Sequence, residues 1–429
     1  MKIPLLPLVL AALTASAFAA PLDPVFSAEN LWAMKQIDFM TAASRLGYEW
    51  TSSARDSARV ARPDLTFLGQ PAVESVARFE GEALKEITVT FYARGDSGDW
   101  SEEKFDALVR TAAEAITKLT AVKFTARGKD PTSAVKADGL VWQTAKARYL
   151  LEYSKTKEVK TRGIPFRAEF VRLEVSAPEK KASLLAAASA GQHAKFSGPA
   201  HVKKDAATGD VWLGDVPMVD QGQKGYCVVA STERVMRYYG NAVDANELAQ
   251  VANTSSAGGT STDAMMEALK KLGSRLKVRV REVEHGDSVK DILKLIADYN
   301  RAAKHAGVAE IPDPGHSIDV GEVYRAMKGD VLKEVRTKNK SSLSRFQREV
   351  QSHIDAGVPL LWTVMLGLAK EPGIAPQTFG GHMRLIIGYN TAKEEILYSD
   401  SWGAGHELKR LPAADAWTMT TGAMSIEPL

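Results

Sequence analysis

A polar, glycine-containing loop that leads straight into an apolar helical pattern is the feature that most constrains this chain of 429 residues. The loop occupies residues 220–226, and Cys227, the only cysteine of the protein, follows it. Apolar and small side chains then recur at helical spacing, at Val228, Ser231, Val235 and Tyr239. The pattern predicts a buried helix with Cys227 in its first turn. Unsatisfied N–H groups and the positive end of the helix dipole favour a thiolate at that position.

A hydrogen-bond donor stands six residues before the cysteine, at Gln221. Its amide N–H could turn toward the point where a carbonyl attacked by Cys227 would develop negative charge. A nucleophile beside such a donor is half of a site for acyl transfer.

The groups needed for the other half, a base and a residue that orients it, lie far downstream. His382 follows two glycines and precedes an apolar run, 385–389, that is typical of a buried strand. A turn at 390–394 and a second strand around 396–398 come next, with Asp400 at its end. These strands predict a hairpin that brings Asp400 near His382. A carboxylate that accepts from one imidazole nitrogen leaves the other nitrogen to take the thiol proton.

Three segments resemble the signature regions of papain-like cysteine peptidases: Gln221 to Cys227, Gly381-His382, and Asp400-Ser401-Trp402-Gly403. Within that clan the chain is most similar to the C39 and C39-like bacterial peptidases, over roughly residues 210–429. The segments that carry this closer resemblance follow Cys227, at 235–240, 247–249, 259–261 and 268–273. An aspartate as third catalytic member, where papain has asparagine, also fits the C39 side.

The resemblance implies a papain-like, two-lobed α+β fold, with helices first, an antiparallel sheet after them and a cleft between the lobes. It implies catalysis by Cys227 as nucleophile and His382 as base, with Asp400 orienting His382. Gln221 would hold the oxyanion. Trp402 would cover the His382–Asp400 pair and adjoin the bound substrate. No cofactor is implied.

Three functions are compatible with these residues. A cysteine peptidase that hydrolyses peptide bonds is the leading hypothesis. The same triad could instead serve an amidase, isopeptidase or transamidase that acts on cell-wall peptides. The third hypothesis is a papain-like binding module without catalysis, because Val228 stands where C39 enzymes usually have glycine.

Composition narrows the range of partners. Apolar residues make up 45% of the chain and charged residues 25%, as in soluble globular proteins. The formal net charge of +3 is small for this length, and it indicates neither a nucleic-acid footprint nor a membrane-binding surface. We therefore expect a peptide or protein substrate and no nucleic acid.

The amino terminus has the pattern of a secretory signal peptide over residues 1–19. A charged start at Lys2 precedes an apolar core, 3–13, and Ala17-Phe18-Ala19 supplies a small-x-small cleavage pattern. No later segment approaches the about 18 consecutive apolar residues that a spanning helix needs. We expect a secreted or periplasmic protein of bacterial export, without a membrane span.

Changes in pattern divide the rest of the chain into two domains and a linker. Residues 20–176 combine alternating strands, such as 87–92, with an amphipathic helix, 105–119, and predict a smaller α+β domain. Residues 177–205 are rich in Ala, Ser, Lys and Gly, which is typical of a linker. Residues 206–429 carry the candidate catalytic groups. The N-terminal domain is either a prodomain that inhibits the enzyme intramolecularly until it is cut away or a permanent binding module.

Weaker signals lie elsewhere in the chain. Gly258 and Gly259 could form a wall of the substrate site, since backbone without side chains can pair with an extended peptide. A polar section, 309–342, is interpreted as an insertion. It contains three potential metal ligands, Asp313, His316 and Asp319. Such residues in a polar loop are more often solvated, so no metal is expected.

Overall fold

The computed structural model of the protein describes residues 19–28, 30–127, 134–158, 161, 163, 165–178, 196–222, 225–241, 243–256, 258–284, 288–315, 318–371 and 379–429. These residues form two hydrophobic cores. One is built from side chains between residues 20 and 175. The other is built from side chains between 213 and 426, joined by Ala134, Val135 and Phe170. The predicted signal peptide lies, except for its last residue, outside the described residues.

The N-terminal domain combines antiparallel strands with the long helix α4. In chain order its elements are β1 (Ala20–Pro21), α1 (Asp23–Phe26), α2 (Gln36–Ala42), β2 (Glu49–Trp50), β3 (Ser57–Val60), β4 (Leu65–Phe67), β5 (Gln70–Pro71), β6 (Glu74–Glu80), β7 (Ala83–Ala93), α3 (Arg94–Ser97), α4 (Glu102–Thr120), β8 (Thr125–Ala126), β9 (Asp138–Gln143), β10 (Arg148–Thr156) and β11 (Arg167–Ser176). The main sheet has the order β2-β3-β6-β7-β11-β10-β9-β8, and β1, β4 and β5 form a smaller one.

The two faces of the main sheet differ in chemistry, because successive side chains of a strand point to opposite sides. On β7, Ile87 and Val89 are fully buried in the N-terminal core, where Phe105 and Ile116 of α4 also lie. The other face carries charged side chains such as Arg172 on β11, which contacts the C-terminal domain. The sheet is therefore covered on both sides.

The C-terminal domain combines helices with an antiparallel sheet, so the α+β class predicted from the sequence is confirmed. In chain order its elements are β12 (Val202–Lys204), β13 (Asp210–Leu213), α5 (Cys227–Tyr238), α6 (Ala245–Val251), α7 (Thr262–Leu276), β14 (Val278–Glu284), α8 (Val289–Ala306), α9 (Val320–Ala326), α10 (Gly329–Lys338), α11 (Lys340–Asp355), β15 (Leu360–Leu366), β16 (Gly380–Asn390), β17 (Glu395–Ser399), β18 (Lys409–Pro412), α12 (Ala413–Met419) and β19 (Thr420–Pro428). No described helix combines the length and the apolar composition that crossing a membrane requires.

Strand β16 is the element on which the site is built. The sheet has the order β12-β13-β16-β15-β19-β14, and β17 pairs with both β16 and β18. The apolar run 385–389 forms the middle of β16, and the predicted hairpin is the antiparallel pair β16–β17, with Leu385 opposite Ser399. Helix α5 packs against β16, which brings the first turn of the helix to the strand.

The polar section 309–342 contains helices that pack in the core, and its interpretation as an insertion stays a prediction. Helices α9 and α10 lie in this section, and they bury Tyr324 and Leu332 completely in the C-terminal core. Each helix contributes only two buried side chains, so its apolar period is too brief to recognise in the sequence. The predicted linker, 177–205, also overlaps this domain, because β12 pairs with β13.

Candidate active site

The thiol of Cys227 lies at the first residue of helix α5. Val229 and Val235 are fully buried and hold the helix in the core, while the Cys227 side chain stays partly exposed to solvent. The first N–H groups of a helix have no partner inside it, and together with the helix dipole they favour negative charge nearby. The position suits a nucleophile that must be both ionised and accessible.

His382 and Asp400 meet across the β16–β17 hairpin. His382 lies near the start of β16, and Asp400 directly follows β17. The ring nitrogen Nε2 of His382 is 2.7 Å from Oδ1 of Asp400, and both side chains are buried. The same ring interacts electrostatically with the Cys227 thiol, since each group shifts the pKa of the other. Because Nε2 is engaged by Asp400, Nδ1 is the nitrogen left for proton exchange with the thiol.

Cys227, His382 and Asp400 each favour the ionised form of the neighbouring group. Burial would raise the pKa of the Cys227 thiol, but the His382 ring and two backbone N–H groups outweigh burial and hold that pKa below its ordinary value. Burial would lower the pKa of His382, yet the bonds to Asp400 and Cys227 raise it to about 9. Burial also opposes ionisation of Asp400, while His382 and Arg384 keep the pKa of this carboxyl low. All three shifts favour a thiolate beside an imidazolium.

Gln221 is bound twice to Ser401, the residue after Asp400. The backbone N–H of Gln221 donates to the Ser401 carbonyl oxygen at 2.9 Å, and Oγ of Ser401 donates to Oε1 of Gln221 at 2.6 Å. With Oε1 engaged as an acceptor, Nε2 is the donor end of this amide. Ser401 was not predicted as a site residue, because only folding brings it to Gln221.

Trp402 stacks on the imidazole of His382. The two ring centroids are 4.7 Å apart and the planes are inclined by 19°. The indole therefore covers one face of the ring that bonds Asp400, which limits the access of water to that hydrogen bond. A contact of Trp402 with substrate stays a prediction.

Gly258 and Gly259 lie beside the loop that precedes the nucleophile. Gly259 has a φ of +65° and exchanges two backbone hydrogen bonds of 3.0 Å with Ser255, which makes a tight turn. A Cβ added to Gly259 would come within 2.8 Å of the carbonyl oxygen of Gly225, two residues before Cys227. The backbones of Gly259 and Gly225 are therefore in direct contact, and a side chain at 259 would not fit between them. The role of these glycines as a substrate wall stays a prediction.

A buried ion-pair network behind Asp400 was missed in the sequence. Nε of Arg384 donates to Oδ2 of Asp400 at 2.7 Å, and Nη1 donates to Oε2 of Glu371 at 2.7 Å. Tyr398 donates to the same oxygen of Glu371. Arg384 was identifiable, because it lies two residues after His382 and alternate residues of a strand share a face. No pattern in the sequence points to Glu371.

Among the described residues, no group of three or more His, Cys, Asp or Glu side chains could hold a metal ion. His316 lies outside the described residues. Asp313 accepts from the N–H of Gly315, and Asp319 caps helix α9 by accepting from the N–H of Glu322. The two aspartates therefore serve local backbone structure.

A cysteine at a helix N-terminus, facing a histidine on an antiparallel sheet with an acid behind it, is the arrangement of the papain-like class of cysteine peptidases. Residues 213–424 match the model of the Peptidase_C39 like family, and this part of the chain belongs to that family. Among solved structures, the chain is similar to xylellain, a cysteine protease from Xylella fastidiosa, at 13% identity. That match covers 55% of this chain and 90% of xylellain, with a TM-score of 0.27. A comparison with curated proteins gave no match. The C-terminal domain is a C39-like cysteine peptidase domain.

Proposed function

We propose that this protein hydrolyses peptide bonds with Cys227 as nucleophile, His382 as general acid and base, and Asp400 as the residue that orients His382. The position of the His382 ring carries the proposal. The ring bonds Asp400 through Nε2 at 2.7 Å, and it lies near enough to the Cys227 thiol for each group to shift the pKa of the other. A base that is oriented by an acid and bonded to a nucleophile is the minimum set for acyl transfer.

The reaction follows from this geometry. The thiolate of Cys227 attacks the substrate carbonyl carbon, and the carbonyl electron pair moves onto oxygen. Nε2 of Gln221 and the backbone N–H of Cys227 donate to that oxyanion. The C–N bond breaks as Nδ1 of His382 gives its proton to the leaving amine. His382 then takes a proton from water, which attacks the acyl-enzyme, and the acid is released with return of the thiolate.

Val228 does not favour the alternative of an inert module. Val228 is 4% exposed, and its side chain packs in the core on the buried side of helix α5. Its backbone N–H contributes to lowering the pKa of the Cys227 thiol, as a glycine at this position also would. The substitution therefore leaves the chemistry of the thiol intact.

Hydrolysis of a fluorogenic peptide mixture by the purified protein tests the proposal. Cys227→Ala should abolish turnover, and His382→Ala should lower kcat by about 10² to 10⁴-fold, the usual worth of a positioned acid and base. His353→Ala is the matched control, because this histidine bonds the Glu349 carbonyl oxygen on helix α11. Full activity of Cys227→Ala would refute the assignment.

Alkylation of Cys227 by iodoacetamide tests the same site without a substrate. A thiolate held by His382 should react at a rate that changes little between about pH 5 and 8, whereas an ordinary thiol accelerates as pH rises toward its pKa near 8.5. The acceleration of an ordinary thiol would favour the inert module.

We also propose export of the protein, because residues 1–19 have the pattern of a signal peptide. Protein expressed in a bacterium and recovered from the periplasm or the medium should begin at Ala20 when its amino terminus is sequenced. Recovery from the cytoplasm with Met1 or Lys2 at the amino terminus would contradict export.

A further inference from the structure

The charged face of the N-terminal sheet is covered by the peptidase domain. The guanidinium of Arg172 pairs with Glu152 of its own sheet at 2.6 Å, and it reaches Asp244 and Glu247, at 3.5 Å, near the start of helix α6. The side chains of Arg172, Glu152 and Glu247 are exposed by 9%, 5% and 8%. Charges that have lost water in this way depend on one another for compensation. Separation of the two domains would take Asp244 and Glu247 away from Arg172 and leave its charge less compensated.

Apolar contacts accompany these charges. Phe170 of β11 is fully buried and belongs to the core of the peptidase domain, as do Ala134 and Val135. The backbone N–H of Ala134 donates to Oε2 of Glu247 at 2.6 Å. The interface thus combines buried apolar side chains with buried ion pairs.

The N-terminal domain also contacts the oxyanion loop, which we define by its described residues, 220–222 and 225–226. The guanidinium of Arg59 on β3 lies directly on Gly222, where an added Cβ would come within 2.6 Å of both terminal nitrogens. The same group pairs with Glu74 at 2.9 Å and with Asp220 at 3.9 Å. Arg59 therefore contacts both residues that flank Gln221 in the chain, Asp220 and Gly222.

The end of the oxyanion loop is held by a second contact. Gly95 lies against Tyr226, the residue before Cys227, so closely that an added Cβ would overlap the tyrosine hydroxyl. The ring of Tyr226 is almost completely buried. On another side of the site, the N–H of Ser53 donates to Glu407 at 2.6 Å. The N-terminal domain thus touches the start of the catalytic helix as well as the loop before it.

These contacts do not involve the three catalytic groups. Within the part of the chain that the structure describes, no hydrogen bond or ion pair from the N-terminal domain reaches Cys227, His382 or Asp400. The thiol stays partly exposed with the N-terminal domain docked. An inhibitory prodomain would contact the catalytic groups, whereas the described contacts of this domain are with residues around them.

We infer that the N-terminal domain is a permanent part of the catalytic unit, with Arg59 and Gly95 positioning the oxyanion loop and the first turn of helix α5. The inference rests on the proposed function, because it states what holds the oxyanion donor of the same site. Arg59 is a positioning residue, since it acts on substrate only through the loop that carries Gln221. Cutting the chain between the domains leaves the enzyme assembled and active.

The first test cuts the chain between the domains under native conditions. A recognition sequence for a site-specific protease is inserted between Ser189 and Ala190, and the protein is digested after purification. The two fragments should elute together in gel filtration with kcat unchanged, and should separate only in denaturant. Separation under native conditions, or a rise in activity on cutting, would overturn the inference in favour of a prodomain. Co-elution is measured whether or not the protein hydrolyses peptides, so failure of the proposed function is recognised separately.

The second test compares Arg59→Met with Arg62→Met in the full chain. Arg62 pairs with Asp64 at 2.6 Å within the N-terminal domain and serves as the control. Arg59→Met should lower kcat about tenfold, because the oxyanion donor loses its support, while the KM changes by less than about twofold. The alkylation rate of Cys227 should not change, since the thiolate depends on His382. Unchanged kcat, or an equal fall in kcat and alkylation that marks general disruption, would refute the role of Arg59.

Discussion

At the scale of single residues, three hydrogen-bond donors converge on the carboxylate of Asp400. Its carboxylate accepts from Nε2 of His382 at 2.7 Å, from Nε of Arg384 at 2.7 Å and from the N–H of Ser401 at 2.9 Å. The side chain is fully buried, so these donors are what keep it ionised. Its negative charge in turn keeps a proton on His382. The arginine thus supports the imidazolium indirectly, through the carboxylate.

The pH dependence of catalysis reports this charge state. The kcat/KM of the wild type should fall as pH rises through about 9, where His382 loses the proton that the leaving amine needs. Asparagine at 400 would still accept a hydrogen bond but carries no charge, so the pKa of His382 should fall in Asp400→Asn. The alkaline limb of the profile then moves to lower pH, with a smaller loss of activity than in Cys227→Ala. An unshifted limb would show that another group titrates there.

Arg384 should contribute strongly to stability. Arg384→Met removes the cation that Asp400 and Glu371 share, and breaking such a buried ion pair typically costs about 3–5 kcal/mol of unfolding free energy. Arg279→Met is the matched control on the same sheet. Arg279 pairs with Glu427 at 2.8 Å but its side chain is 53% exposed, so a loss of only about 0–1 kcal/mol is expected. Urea denaturation measures both, and similar losses would contradict a structural role for the buried network.

At the scale of elements, the site is formed by the β16–β17 hairpin and by two loops that are hydrogen-bonded to each other, the oxyanion loop and the loop after β17. The oxyanion loop is bound through Gln221 to Ser401, and the carboxylate of Asp220 lies against Gly403. Helix α5 carries Cys227 on one side, and β16 carries His382 on the other. The relative position of these elements depends on the bonds between the loops.

Ser401→Ala tests that dependence. Loss of the bond to Oε1 removes one of the contacts that orient the Gln221 amide, so kcat should fall by about tenfold with little change in KM. Gln221→Ala removes the donor itself and should cost more, about 10² to 10³-fold in kcat. Ser425→Ala, at a fully buried serine of β19 that bonds Glu427, is the control and should keep normal activity. A larger loss in Ser401→Ala than in Gln221→Ala would contradict this order of dependence.

Local patterns explain which elements could be predicted from the sequence. The apolar run before Asn390 and the turn after it identify a hairpin, and the hairpin alone brings His382 toward Asp400. Helix α5 could be placed because its apolar period is long. Helices α9 and α10 could not, since each buries only two side chains and the polar residues between them suggest a loop.

At the scale of the whole molecule, the two hydrophobic cores are not independent. Phe170 of the N-terminal domain lies in the core of the peptidase domain, and Arg172 is buried between Glu152 and Glu247. The docking could not be predicted, because the charged strand residues that form it look like an ordinary solvated face in the sequence. A docking face and a solvated face can be told apart only when the partner surface of opposite charge is known.

The shared interface should make unfolding cooperative. Scanning calorimetry of the wild type should show a single transition whose calorimetric and van't Hoff enthalpies agree. Arg172→Met removes the cation shared by both domains and should split the transition in two. The control Arg110→Met changes an exposed residue of α4 and should leave one transition. Two transitions in the wild type would show that the domains melt independently.

The place of β19 in the sheet has a consequence for biosynthesis. This strand pairs with both β15 and β14, so the interior of the sheet contains a segment that a ribosome makes long after Cys227. The nascent chain therefore carries the Cys227 thiol for nearly half of translation without the finished sheet that presents the imidazole. We therefore expect the thiol to become reactive only after the last strand is made, so that the newly made polypeptide is spared from attack by its own thiol.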